Sequence, residues 1–259
     1  MTARSAVFGD ALVMIGRSVT VSRRTPSAVV SATLLPVILL LTMTAGFAKI
    51  VNPAGSYVDY VNRVLPLLVV MGVVLSSLTT GVAAYQDLHS GLDNRLRTMP
   101  IARSAPLIGR IVGDAVRNLA TVVVVVALGI ALGFRFSTSP FAIVGFFVLP
   151  LVFGVGFAWL AVALAIRAGS AESVASVLNA VLLTLTFLST GFVAMDDLPG
   201  WAQPIAAVNP VSSVVEAMRA LAHGGPVMTP LISSLAWSVG LVVVFGGLAI
   251  RGYRQRTRR

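Results

Sequence analysis

The 259-residue chain has no cysteine, one lysine, two histidines and nine acidic residues. Each shortage removes a class of chemistry. Without thiols there are no disulfides, no thiolate nucleophile and no cysteine-ligated metal. A phosphate-binding loop needs a glycine-rich turn that ends in Lys followed by Ser or Thr. Lys49 instead follows Phe47 and Ala48 and precedes Ile50, so the chain carries no standard ATP site. Charged residues make up 11% of the sequence against 57% hydrophobic, too few polar side chains to clothe a water-soluble surface.

Apolar runs recur instead, over residues 27–48, 64–84, 113–134, 141–166, 174–194 and 231–250. Each is long enough to cross a bilayer as a helix, and none shows the in–out alternation of barrel strands. The expected fold is an all-α polytopic integral membrane protein with six transmembrane helices, a single membrane domain over 1–259, its first span retained as an anchor. Pro36, Pro66 and Pro150 fall in or near spans, where kinks are tolerated.

Basic residues set the orientation. Fifteen of the 19 fall on one side of these spans: Arg4, Arg17, Arg23, Arg24, Arg95, Arg97, Arg103, Arg110, Arg117, Arg167, Arg251, Arg254, Arg256, Arg258 and Arg259. Lys49, Arg63, Arg135 and Arg219 fall on the other. The positive-inside rule then predicts cytoplasmic N and C termini in the cell membrane. This distribution explains the net charge of +10 without nucleic acid as a partner. Before the first span, Phe8, Leu12, Ile15 and Val19 form one helical stripe opposite Asp10, Arg17 and Arg24, the pattern of an interfacial helix.

No ionisable side chain sits near the middle of a span, which disfavours an ion-coupled carrier. Asp114 and Arg117, near the inner end of the third span, are spaced to pair across one turn. His89 and His223 fall on opposite faces of the bilayer and cannot share a metal or act as an acid–base pair. Asp196 and Asp197 read more simply as a capping or solvated turn than as a cation site. A membrane-embedded lipid-modifying enzyme would need convergent His, Asp or Glu, which are missing; a non-transporting assembly factor stays as the other alternative.

The longest cytoplasmic loop, YQDLHSGLDNRLRTMPIARSAPLIGRIVGD from Tyr85 to Asp114, has helical order. Leu88, Leu92, Leu96 and Met99 recur at helical spacing, Asp93 and Arg97 are placed to pair, and Pro100 ends the pattern. An amphipathic helix of this kind suits docking to a soluble partner, or equally resting on lipid headgroups. Uncharged polar residues within spans, Ser76 and Thr80 in the second and Asn179 and Thr186 in the fifth, suit either a path for an amphipathic molecule or hydrogen bonding between helices.

This loop, together with FLSTGFVAMDDLPGWAQPIAAVNPVSSVVEAMRALAHGG from Phe187 to Gly225, resembles the type 2 ABC (ATP-binding-cassette) exporter permeases, especially the daunorubicin/doxorubicin-resistance permeases of actinobacteria. The second stretch is the more specific: Pro199 and Trp201, the pair Asn209-Pro210, and Arg219 ahead of Gly224-Gly225 match the family's pattern. In the loop, Asp87, Gly91, Arg95, Pro100 and Arg103 match its acidic residue, glycine, basic residue, proline and arginine. The resemblance covers essentially the whole chain. It implies a cytosolic ABC ATPase subunit docked on the loop through a coupling helix that includes Leu88, Leu92 and Leu96. It further implies a second permease chain, identical or homologous, and a lipophilic drug, antibiotic or lipid as substrate. ATP and Mg would sit on the partner subunit, with no cofactor on this chain. Residues 195–230 would form short re-entrant helices in the outer leaflet.

Overall fold

The computed structural model describes residues 26–51, 55–89 and 105–256, and all their regular structure is helical. Helices α1 (Pro26–Val51), α2 (Tyr57–His89), α3 (Ala105–Ala131), α4 (Pro140–Arg167) and α5 (Ala171–Phe187) are followed by a single 3-10 turn, Met195–Asp197. Two short helices, α6 (Gln203–Val208) and α7 (Pro210–His223), lead into α8 (Met228–Arg256). The interfacial helix expected over 6–24 and the loop centre at 90–104 lie outside the described residues.

Five helices, α1, α2, α3, α4 and α8, are long and apolar enough to cross a membrane; α5 is a shorter apolar helix of 17 residues. The fifth span was expected to run through residue 194, and its helix stops at Phe187. The local chemistry explains the early end. Ser189 Oγ donates to the Thr186 carbonyl at 2.6 Å and accepts from Gly191 N at 3.2 Å, so a side chain takes up backbone groups that a continuing helix would use. At the other ends, capping is orthodox. Ser139 precedes Pro140 and accepts from Ala142 N, and Ser170 accepts from Ser173 N, fixing the starts of α4 and α5.

Helix α2 is the axis of the bundle, packing on α1, α3, α4, α5 and α7. Its residues from Val64 to Val74 are all buried, a run that is apolar all round because every face meets protein. Helix α4 is its main neighbour and also carries α8 on its far side. It contributes Phe146, Phe153 and Phe157 to the core. Leu34, Leu35, Ile38 and Leu41 of α1 and Val239, Val243 and Val244 of α8 are exposed, as lipid-facing side chains are.

With lipid tails as apolar as leucine, close packing rather than water exclusion holds such helices together. Gly154 shows how close they come: a Cβ there would lie 2.4 Å from Val73 Cγ1 and 3.0 Å from Asn118 Nδ2, so α2, α3 and α4 converge on one missing side chain. Gly154→Leu is therefore expected to lower the unfolding midpoint of the detergent-purified protein, at about 1–3 kcal/mol for overpacking. Gly240→Leu, at a position with nothing within 4 Å, serves as the control and is expected to leave it nearly unchanged.

Candidate functional site

The segment between α5 and α8 folds back into the bundle end. Helix α7 has 14 residues, too short to cross a bilayer at the roughly 20 residues required, yet ten of them are buried. A helix set among others at this depth leaves carbonyls and amides with no water to bond, so its ends must be met by side chains. Asn209 meets three such groups at once. Its Oδ1 accepts from Val211 N at 2.8 Å, capping α7, while its Nδ2 donates at 2.8 Å to both Leu185 O and Leu188 O, the orphan carbonyls where α5 ends. Pro210 takes the first helical position, where its missing N–H is no loss. Ser212 Oγ accepts from Thr190 N at 3.1 Å, a second stitch between the same segments.

Arg219 completes the joint. Its Nε and Nη2 donate to the Arg63 carbonyl at 3.0 and 2.8 Å, Nη1 to Thr190 O at 2.9 Å and Glu216 Oε1 at 2.8 Å, and Nη2 also to Gly191 O at 2.7 Å. Those five bonds use every N–H the guanidinium has. Burial pulls its pKa below the ordinary arginine value, Glu216 opposes that, and the nearby Arg63 charge adds to the lowering. At the far end of α7, Ser137 N and Thr138 Oγ1 donate to the carbonyls of Ala222 and Leu221 at 2.9 and 2.6 Å. Gly224 and Gly225, at φ +87° and +114°, then reverse the chain into α8. Beside Phe134 in this corner, burial pushes His223 below the usual histidine value, partly offset by a hydrogen bond with the Asn62 backbone and reinforced by Arg219.

A cleft of about 810 Å³ opens beside this joint, walled by Asn62 and Arg63 of α2, Thr190 after α5, Glu216 and Arg219 of α7, and Ser233 of α8. In the preceding turn the Pro199 carbonyl accepts from Ala202 N at 2.8 Å, and Trp201 is 67% exposed. Such an indole suits the water–lipid boundary.

A second polar cluster ties α2 to α3. Asp114, 2% exposed, pairs with Arg117 and accepts from Ser76 Oγ at 3.0 Å; Arg117 also donates to Ser76 Oγ at 3.0 Å and Thr80 Oγ1 at 2.9 Å. The expected i,i+3 pair thus forms, with Ser76 and Thr80 as its partners from α2. Towards the end of α2, Asp87 pairs with Arg110 of α3, and Tyr85 Oη donates to Gly169 O in the α4–α5 turn at 2.8 Å.

Of the loop residues singled out in the sequence, Asp87 and Leu88 are half-buried on α2. Gly91, Leu92, Arg95, Leu96, Pro100 and Arg103 lie outside the described residues. Ser76 and Thr80 meet in one network, whereas Asn179 is exposed on α5 and Thr186 is buried near its end, and neither joins that network. Sequence reasoning missed Glu216, although its three-residue spacing from Arg219 was the available signal. It also missed Tyr85–Gly169, a contact across 84 positions with no local signature. Among the described residues no group of three or more His, Asp or Glu is placed to hold a metal.

Residues 10–222 match the model of the ABC-2 type transporter family, and the chain belongs to that family. Helical spans and family together define a membrane permease of an ABC transporter, a transport component rather than an enzyme. The chain is 33% identical over 254 residues to the "Daunorubicin resistance ABC transporter permease protein DrrB1" of Streptomyces coeruleorubidus, covering 98% of this chain and 89% of that one. It is 30% identical over 231 residues to the "Probable doxorubicin resistance ABC transporter permease protein DrrC" of Mycobacterium tuberculosis, covering 88% and 82%.

Asn209→Ala removes a cap and leaves two α5 carbonyls without donors. The expected loss of stability is about 1–3 kcal/mol, seen as a lower unfolding midpoint and faster cleavage between α5 and α7 by added protease. Asn209→Asp keeps the cap oxygen but not the donors, and is expected to fall between the two.

Proposed function

We propose that the chain is the membrane subunit of an ATP-driven exporter in the cell membrane, with both termini cytoplasmic. It acts as one permease domain over 1–259 beside a second permease chain, identical or homologous. Hydrolysis takes place on a separate ABC ATPase, where ATP and Mg bind, because the single lysine of this chain is in no phosphate loop. The relatives named for daunorubicin and doxorubicin resistance support a lipophilic drug, antibiotic or lipid as cargo.

The observation that carries this reading is the length of α2. Its 33 residues span about 50 Å at 1.5 Å each, against a hydrocarbon core of about 30 Å, so the helix extends well past the bilayer. At its His89 end it leads into the proposed coupling segment of Asp87, Leu88, Gly91, Leu92, Arg95, Leu96, Pro100 and Arg103. The Asp87–Arg110 pair and the Tyr85–Gly169 bond join this projecting end to α3 and to the α4–α5 turn. Closure of the ATPase would push there and tilt the joined spans, giving alternating access. Pro199, Trp201, Asn209, Pro210 and Arg219 form the outer re-entrant segment in this scheme. Ser76, Thr80, Asn179 and Thr186 are the polar groups of the proposed substrate path, of which Asn179 is open to cargo or to the second chain.

The triple substitution Leu88→Ser, Leu92→Ser and Leu96→Ser is expected to reduce recovery of the ATPase on an affinity-tagged permease and to lower export at matched membrane abundance. Unchanged recovery with normal export would remove the docking role of this segment. The purified permease alone is expected to turn over no ATP, and turnover by a preparation free of other subunits would overturn the division of labour.

A further inference from the structure

The cleft at the α7 joint offers an unusual set of charges to a ligand. Arg219 is its most buried cation, yet all five of its N–H groups already bond protein oxygens, so it has no donor left for an anion. The charges left to a ligand are one of each sign. Glu216 gives Oε1 to Arg219 and remains 43% exposed at its side chain. Arg63 contributes its carbonyl to Arg219, but its exposed guanidinium makes no hydrogen bond among the described residues. A wall with a free carboxylate edge and one free guanidinium suits a group that donates at one end and carries negative charge at the other.

The surroundings say what such a group is attached to. The cleft lies where α2 and α8 begin and α5 and α7 end, and the same region exposes Phe187 at 66%, Trp201 at 67%, Val208 at 66% and Met228 at 68%. Apolar and amphipathic side chains of this kind are enriched where lipid headgroups lie. At about 810 Å³ the cleft is within the roughly 300–1,000 Å³ of small-molecule sites.

We infer that this cleft binds the head of a zwitterionic amphiphile, its primary ammonium on Glu216 and its phosphate on Arg63, with the hydrocarbon chains lying along the exposed apolar side chains beside it. A quaternary ammonium has the same charge but no N–H to donate, and a glycerol head has the phosphate without the cation. The site therefore separates three headgroups on identical acyl chains. The inference concerns binding and holds whether or not the chain exports anything.

The test is native mass spectrometry of the full chain, extracted with whatever subunits accompany it and exchanged into equimolar phosphatidylethanolamine, phosphatidylcholine and phosphatidylglycerol of matched chains. Phosphatidylethanolamine is expected to be retained about threefold over each of the others, the gain of one partly exposed charged hydrogen bond. Glu216→Gln should erase its advantage over phosphatidylcholine, and Arg63→Gln, at an exposed side chain with no fold role beyond its backbone, should lower retention of all three phosphates. Soluble phosphoethanolamine is expected to displace bound phosphatidylethanolamine more effectively than dodecylamine, and displacement by dodecylamine that equals it would overturn the role given to the phosphate. Equal retention of the three lipids by the unaltered chain, or a preference that survives both substitutions, would overturn the inference.

Discussion

A helix that ends inside a protein–lipid environment exposes carbonyl groups that nothing nearby can hydrate, and the end of this molecule where α5 meets α7 is arranged around that constraint. Helix α5 stops at Phe187, and the groups it leaves open are taken by Asn209, Ser212 and Arg219, all from the short helix α7 or its cap. The dependence is mutual. Without the break, α7 would have nowhere to insert; without α7, the break would leave several polar groups buried and unpaired, each at a cost of about 1–3 kcal/mol. The shape of the cleft, the saturation of Arg219 and the reversal at Gly224-Gly225 all follow from seating this one helix.

Much of the architecture was legible in the sequence because it is written in composition. Continuous apolar runs identify spans without any knowledge of their partners, and α1 to α4 and α8 lie where those runs fall. The end of α5 was not legible from hydropathy, since residues 188–194 are nearly as apolar as the helix before them and the decision rests on one hydroxyl, that of Ser189, and its bonds to the Thr186 carbonyl and the Gly191 amide. Asn209 and Arg219 could be singled out only by resemblance; their partners, Leu185, Leu188, Thr190, Gly191 and the Arg63 carbonyl, are backbone atoms with no sequence signature at all. For the same reason the Asp114–Arg117 pair was readable from its spacing, whereas its ties to Ser76 and Thr80 on another helix were not.

The two polar clusters divide the molecule by the kind of bond they use. At the α7 joint, side chains hold backbone, which fixes geometry and leaves little freedom for the parts to slide. Between α2 and α3, side chains mostly hold side chains, and the buried Asp114 depends on Arg117 and Ser76, so that losing either partner would leave its charge poorly compensated.

The length of α2 has a mechanical side. A helix buried on nearly every face near its middle is gripped there, and its free part then behaves as the long arm of a rod about a pivot. For an arm of about 22 Å, from Val74 to His89, a tilt of roughly 10° displaces the far end by about 4 Å, somewhat less than the rise of one helical turn. A push of a few ångströms on the His89 end would therefore turn into a rotation of about ten degrees where the spans meet, taken up by side-chain rearrangement without melting any helix.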